Sequence, residues 1–139
     1  MKLLIDTNVI LDVLLKREPF CNDAVKILNL SHQTNIYLYV SASAITDIYY
    51  IANQTLRNKT AIKNLLSKLV QIVSIASVSE SEIKHALTLT WNDFEDSVQY
   101  SVASLQEMDA IITRNPNDYK KADIKIWTPD KLLLHLNTF

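Results

Sequence analysis

Apolar residues in this chain follow two rhythms: short unbroken runs, and longer stretches in which they recur three and four apart. Leu3-Leu-Ile5, Ile36-Tyr-Leu-Tyr-Val40, Gln71-Ile-Val-Ser-Ile75, Ala110-Ile-Ile112 and Ile124-Lys-Ile-Trp127 belong to the first kind and read as strands. The second kind predicts helices between them. Val9 to Leu15 stops near Lys16-Arg-Glu-Pro19, and Ala24, Val25, Ile27, Leu28 and Leu30 mark the next. Ser41 or Ser43 can cap a helix whose Ile45, Ile48 and Ile51 or Ala52 share a face, with Asp47 pointing elsewhere. Ala61-Ile62, Leu65-Leu66 and Leu69-Val70 continue the period, and Ser79 with Glu82 forms a capping box opening a helix to about Leu89. Asp93 or Asn92 caps a helix from Phe94 to about Glu107 with Val98, Val102 and Leu105 inward, and Pro129 opens the last, which holds Leu132, Leu133, Leu134 and Leu136.

Strands alternating with helices imply a parallel sheet covered on both faces by right-handed crossovers. The predicted fold is a three-layer α/β/α sandwich with a central, mostly parallel sheet of about five strands, in a single domain over residues 1–139. A chain of 139 residues buries roughly two thirds of its unfolded surface, enough for one ordinary core. Hydrophobic residues at 48% and charged residues at 21% fit a globular class.

The net charge of −1 provides no global field for nucleic acid, so any such contact must come from local patches. Arg57 with Lys59 and Lys63, and separately Lys120 with Lys121, are the candidates, and solvated helix faces explain them equally well. There is no glycine, which excludes the Gly-rich phosphate loops of nucleotide kinases and dinucleotide enzymes. A lone Cys21 offers no internal disulfide, and no apolar stretch approaches a membrane span, so a cytoplasmic location is the expectation.

What stands out chemically is where the acids fall. Asp6, Asp47, Asp96 and Asp118 each lie just beyond a strand-like run or in the first turns of a helix. In a parallel α/β sheet those places converge at the carboxyl ends of the strands, where ligands bind. Four converging carboxylates repel one another unless a cation lies between them. Each acid alone has a plainer reading: Asp6 as a turn former, Asp47 as a helix-start acid, Asp96 as a capping partner of Asp93, and Asp118 as a turn residue after Pro116. Asp12, Asp93, Glu95, Asp109 and Asp123 read as surface or turn residues, and Arg114 as a solvent-exposed arginine after a strand in preference to a contact for substrate phosphate. An oxygen-only set suits Mg²⁺ or Mn²⁺, whereas His32, His85 and His135 lack the paired spacing of a zinc site.

Asp6-Thr-Asn8-Val-Ile-Leu-Asp, Ser43-Ala-Ile-Thr-Asp47, Asp93-Phe-Glu-Asp96-Ser-Val-Gln99 and Ile111-Ile-Thr-Arg-Asn115-Pro-Asn-Asp118-Tyr119 together resemble the PIN-domain ribonucleases, in particular the VapC-like toxins. That resemblance spans the chain. It implies an α/β/α fold, Mg²⁺ or Mn²⁺ in an acidic pocket, RNA as substrate, homodimerisation, and a cognate antitoxin whose tail enters the pocket. Position by position, Asp6, Asp47 and Asp96 match the first three metal acids, and Asn115 or Asp118 the fourth. Many relatives carry Glu where this chain has the shorter Asp47, and Asp where it has Asn115.

The implied reaction is hydrolysis of an RNA phosphodiester by a metal-activated water. Asp6 and Asp96 would ligate directly, Asp47 would ligate or orient the water, and Thr113, Asn115 and Asp118 would hold a second metal or its water shell. Two other classes compete. One is a PIN-like module that binds RNA or protein with weak or no catalysis. The other is an aspartyl-phosphate phosphotransfer protein, against which stands Asn8, two residues after Asp6, where that class carries a second acid.

Overall fold

The computed structural model describes residues 1–137. Its strands are β1 (Lys2–Ile5), β2 (Tyr37–Ser41), β3 (Ser74–Ala76), β4 (Ala110–Ile112) and β5 (Lys125–Trp127). Its helices are α1 (Thr7–Leu14), α2 (Cys21–Asn29), α3 (Ala42–Leu56), α4 (Lys59–Ile72), α5 (Glu80–Thr88), α6 (Phe94–Leu105) and α7 (Pro129–Asn137). The five strands form one sheet in the order β3-β2-β1-β4-β5, with every neighbouring pair parallel. The three-layer sandwich expected from the alternation is therefore observed.

Both sheet faces are covered, which is why β1 is an unbroken apolar run rather than an alternating one. Leu3, Ile5, Leu38, Val40 and Ile112 point into a core with α1, α2, α3, α4 and α7. Leu4, Ala76 and Ile111 point to the opposite core, where Val98, Val102 and Tyr119 meet them. The chain runs from β1 outward to β2 and β3, then returns to lay β4 on the other side of β1. The strand order thus reverses between β1 and β4, and a crevice opens at their carboxyl ends.

Two expectations shift. Gln71–Ile75 is not one strand: α4 runs on to Ile72, and β3 begins at Ser74. Ile72 is exposed and Val73 buried, so the helical period that buries Ile62 and Leu69 carries through residues whose β-branching alone suggested extension. Leu105 is 44% exposed rather than inward, because α6 ends there and its buried face is completed by Ala103. Without glycine, left-handed backbone falls to Lys16, Arg57 and Glu107, with Arg57 closing α3 at φ 48°. Among the described residues no helix is long and apolar enough to cross a membrane.

Candidate metal centre

Asp6 follows the last residue of β1, and its backbone N–H donates to the Ile112 carbonyl of β4 at 2.9 Å, so it lies at the reversal point itself. Its side chain caps α1, with Oδ1 accepting from the Thr7 N–H at 2.8 Å. Oδ2 accepts from the Thr113 hydroxyl at 2.9 Å and from Asn8 Nδ2 at 3.4 Å. Asn8 Nδ2 also reaches Thr113 Oγ1 at 3.3 Å, and Asn8 Oδ1 accepts from the Arg114 N–H at 3.2 Å. This network ties the end of β1 to the end of β4 and fixes the orientation of Asp6.

Ser41 ends β2 and caps α3, accepting from the Ala44 N–H at 3.1 Å. Ala44, Ile48 and Ala52 then form the buried stripe, and Asp47 faces away from it into the cleft. Asp93 caps α6 through the Asp96 N–H at 3.0 Å, as its spacing suggested, and Asp96 emerges in the first turn. Asp118 lies in a 3₁₀ turn over Pro116–Tyr119 that follows β4. Asp6, Asp47, Asp96 and Asp118 all line one open cleft of about 680 Å³.

The electrostatics of that cleft are those of uncompensated acids. Burial pushes the Asp6 carboxyl above its ordinary range despite the Thr113 and Thr7 hydrogen bonds, and the charge of Asp118 pushes the same way. Asp96 is pushed up to about 7, first by loss of water and then by the charges of Asp93, Asp6 and Asp118. Glu95 also lines the cleft and is raised, first by Asp47 and then by burial, Asp93 and Asp6. The Tyr119 hydroxyl is buried near Asp6 and Asp96 and favours their charged forms, although neither contact meets hydrogen-bond geometry. Burial and those two carboxylates hold the phenol itself above its usual range.

Among the described residues, no three acids, histidines or cysteines are already drawn together as a ligand cluster. Mutual repulsion splays such groups, and Mg²⁺ is held through one or two carboxylates plus waters. An oxygen-only donor set with raised carboxyls fits a hard divalent cation of that kind.

The family model for the PIN domain matches residues 2–117. The chain belongs to the PIN-domain family. This PIN domain is 25% identical over 142 residues to the Ribonuclease VapC1 of Aquifex aeolicus, an overlap of 99% of this chain and 96% of that protein. Among solved structures, VapBC-1 from nontypeable Haemophilus influenzae has a TM-score of 0.71 at 19% identity, covering 94% of this chain and 100% of that one. VapBC2 from Rickettsia felis, solved with a DNA fragment from its promoter, has a TM-score of 0.70 at 14% identity, covering 92% and 98%. The resemblance to VapC-like PIN proteins expected from the motifs is borne out.

Within the PIN domain several residues stand elsewhere than their sequence context suggested. Asn115 is exposed and lines a separate pocket with Phe20, Arg114 and Pro129, while Asp118 takes the place among the cleft acids. Thr113 is fully buried and spends its hydroxyl on Asp6, with its oxygen accepting from the Asn115 N–H at 3.1 Å. Asp12 is not a surface acid: it is 1% exposed and ion-paired to Arg114, Nε to Oδ2 at 2.6 Å and Nη2 to Oδ1 at 3.2 Å, with Arg17 at 3.8 Å. Arg114 also lies over the Phe20 ring at 4.0 Å, so it is committed internally rather than solvent-exposed. Glu95 looked like a solvated first-turn acid, and nothing local marks it otherwise; only its place opposite Asp47 does.

Proposed function

We propose that this PIN domain is a metal-dependent endoribonuclease, the toxin of a VapC-type toxin–antitoxin pair. The observation that carries the reading is one cleft at the β1/β4 reversal point that gathers Asp6, Asp47, Asp96 and Asp118, with no cation side chain paired to any of them among the described residues. The likeness to Ribonuclease VapC1 supports ribonuclease activity, and that to VapBC complexes supports an antitoxin partner. Homodimerisation belongs to the same reading.

Asp6 and Asp96 would hold Mg²⁺ or Mn²⁺ directly, with Asp118, Asp47 and Glu95 lining the same cleft. When bound, the ion supplies a water nucleophile at neutral pH and stabilises charge on the scissile phosphate. Thr113 and the Thr7 N–H hold Asp6 in one orientation at the cleft wall. Glu95 adds reach where Asp47 is a methylene shorter than glutamate. Asp118 serves as the fourth acid, and Asn115 acts through its backbone on Thr113.

Purified protein with Mn²⁺ or Mg²⁺ and mixed single-stranded and structured RNAs tests this, beside Asp6→Asn and Asp96→Asn. Cleavage that requires metal and vanishes in both variants is the expected result. Cleavage that survives both would overturn the site, and a metal-loaded chain that binds RNA without cutting it would favour a non-catalytic module.

A further inference from the structure

A second pocket of about 260 Å³ abuts the acid cleft and shares Asp96 and Asp118 with it. Its other walls are Trp91, Asn92, Asp93, Asn117, Lys120 and Lys121. Trp91 is held by its neighbours: its indole stacks on Tyr100 at 5.0 Å and 24°, and meets Tyr119 edge-on at 5.9 Å. Lys121 Nζ donates to the Thr90 carbonyl at 3.2 Å, which draws the lysine back along the loop before α6. Among the described residues neither lysine pairs with a carboxylate, although three of the pocket's lining residues are aspartates. The other basic group, Arg57 with Lys59 and Lys63, lines none of the clefts described above.

We propose that this pocket, built from Trp91, Lys120 and Lys121, is the subsite for the nucleotide adjoining the scissile phosphate of a single-stranded RNA. The inference rests on the ribonuclease reading and adds to it a direction of approach for the strand. An immobilised indole is a stacking platform that tolerates any base, and two ammonium groups without a carboxylate partner among the described residues match the phosphate of that nucleotide. Asp96 and Asp118 form the boundary between the two pockets, so a nucleotide on Trp91 has its neighbouring phosphate at the acids. A chain of net charge −1 with an acidic centre needs a local cationic contact to hold a polyanion; Arg17 lines the acid cleft itself but is paired with Asp12 at 3.8 Å, whereas this lysine pair adjoins the centre with no carboxylate partner among the described residues.

The test is binding rather than turnover. In full-length Asp6→Asn protein with Mn²⁺, affinity for a single-stranded RNA decamer is measured across a salt series, with and without Lys120→Ala and Lys121→Ala together. The expected result is a loss of about tenfold and a salt slope smaller by about one, the share of one to two phosphate contacts on a single strand. Lys59→Ala with Lys63→Ala, on an exposed helix, should leave both unchanged. In a Trp127→Phe chain Trp91 is the sole tryptophan, and its emission should be quenched at saturating RNA. Affinity and slope unmoved by the Lys120 and Lys121 changes, or a Trp91 emission unmoved at saturation, overturns the subsite. Failure of the unaltered chain to cleave RNA would instead count against the ribonuclease reading, since the binding series does not depend on cleavage.

Discussion

Two carboxylates on adjoining turns of the molecule, Asp6 and Asp12, are both buried, and they are treated in opposite ways. Asp12 lies inside α1 with a two-pronged Arg114 and a nearby Arg17, and the cation rests on Phe20. Asp6 caps the same helix but receives only neutral donors, and the charge of Asp118 pushes its carboxyl further up. The fold places arginine beside one acid, whereas among the described residues Asp6, Asp47, Asp96 and Asp118 have no ion-pair partner, which on the proposed reading leaves them for a cation from solution. On that reading a compensated acid is architecture, and an uncompensated one belongs to the proposed site.

That contrast predicts its own tests. Asp6→Asn or Asp96→Asn should each lower metal-dependent RNA cleavage on the order of 10³-fold, because each removes a donor from the centre on which the reaction depends, while the fold remains intact by circular dichroism. Arg114→Met should do the reverse. It strands Asp12 without its main partner and should cost about 3 kcal/mol of stability by urea unfolding, and changing Asp12→Leu together with Arg114→Met should recover most of it. Equal stability loss in Asp6→Asn and Arg114→Met would erase the distinction.

Thr113→Val is a smaller perturbation, since it deletes the hydroxyl that orients Asp6 without touching a carboxylate. Mn²⁺ affinity should fall about 10- to 100-fold, as for other loss of ligand orientation. A pH effect is smaller again. An ordinary aspartate releases its proton near 4, whereas folded Asp96 keeps it to about 7, so between these values the unfolded chain binds fewer protons and stability falls as pH rises. Asp96 is half-exposed and screened by water, so the loss should be about 1 kcal/mol, roughly 3 °C in melting temperature. Asp96→Asn should flatten that part of the metal-free profile.

The sandwich was readable from the chain because its runs and periods agree with its caps: Ser41, Asp93 and the Ser79–Glu82 box each start a helix where the spacing places it. The α4–β3 boundary was not, because Ile72 and Val73 suit either backbone state and only packing decides between them. The four acids were legible as a set because strand ends converge. Glu95 and Asp12 were not, since contacts across the fold, repulsion from Asp47 in one case and the ion pair with Arg114 in the other, leave no mark in the local sequence. The sequence favoured Asp118 over Asn115 because Asn115 stands where many relatives carry Asp, and the 3₁₀ turn does put Asp118 in the acid cleft and Asn115 in another pocket.

A melting temperature followed as Mn²⁺ is added at pH 7.5 bears most directly on the claim that the cleft acids await a cation. The unaltered chain should gain stability as the ion relieves repulsion among Asp6, Asp96 and Asp118. Asp6→Asn should begin higher without metal and respond little. The same Mn²⁺ response in both chains would place the ion elsewhere and contradict the assignment.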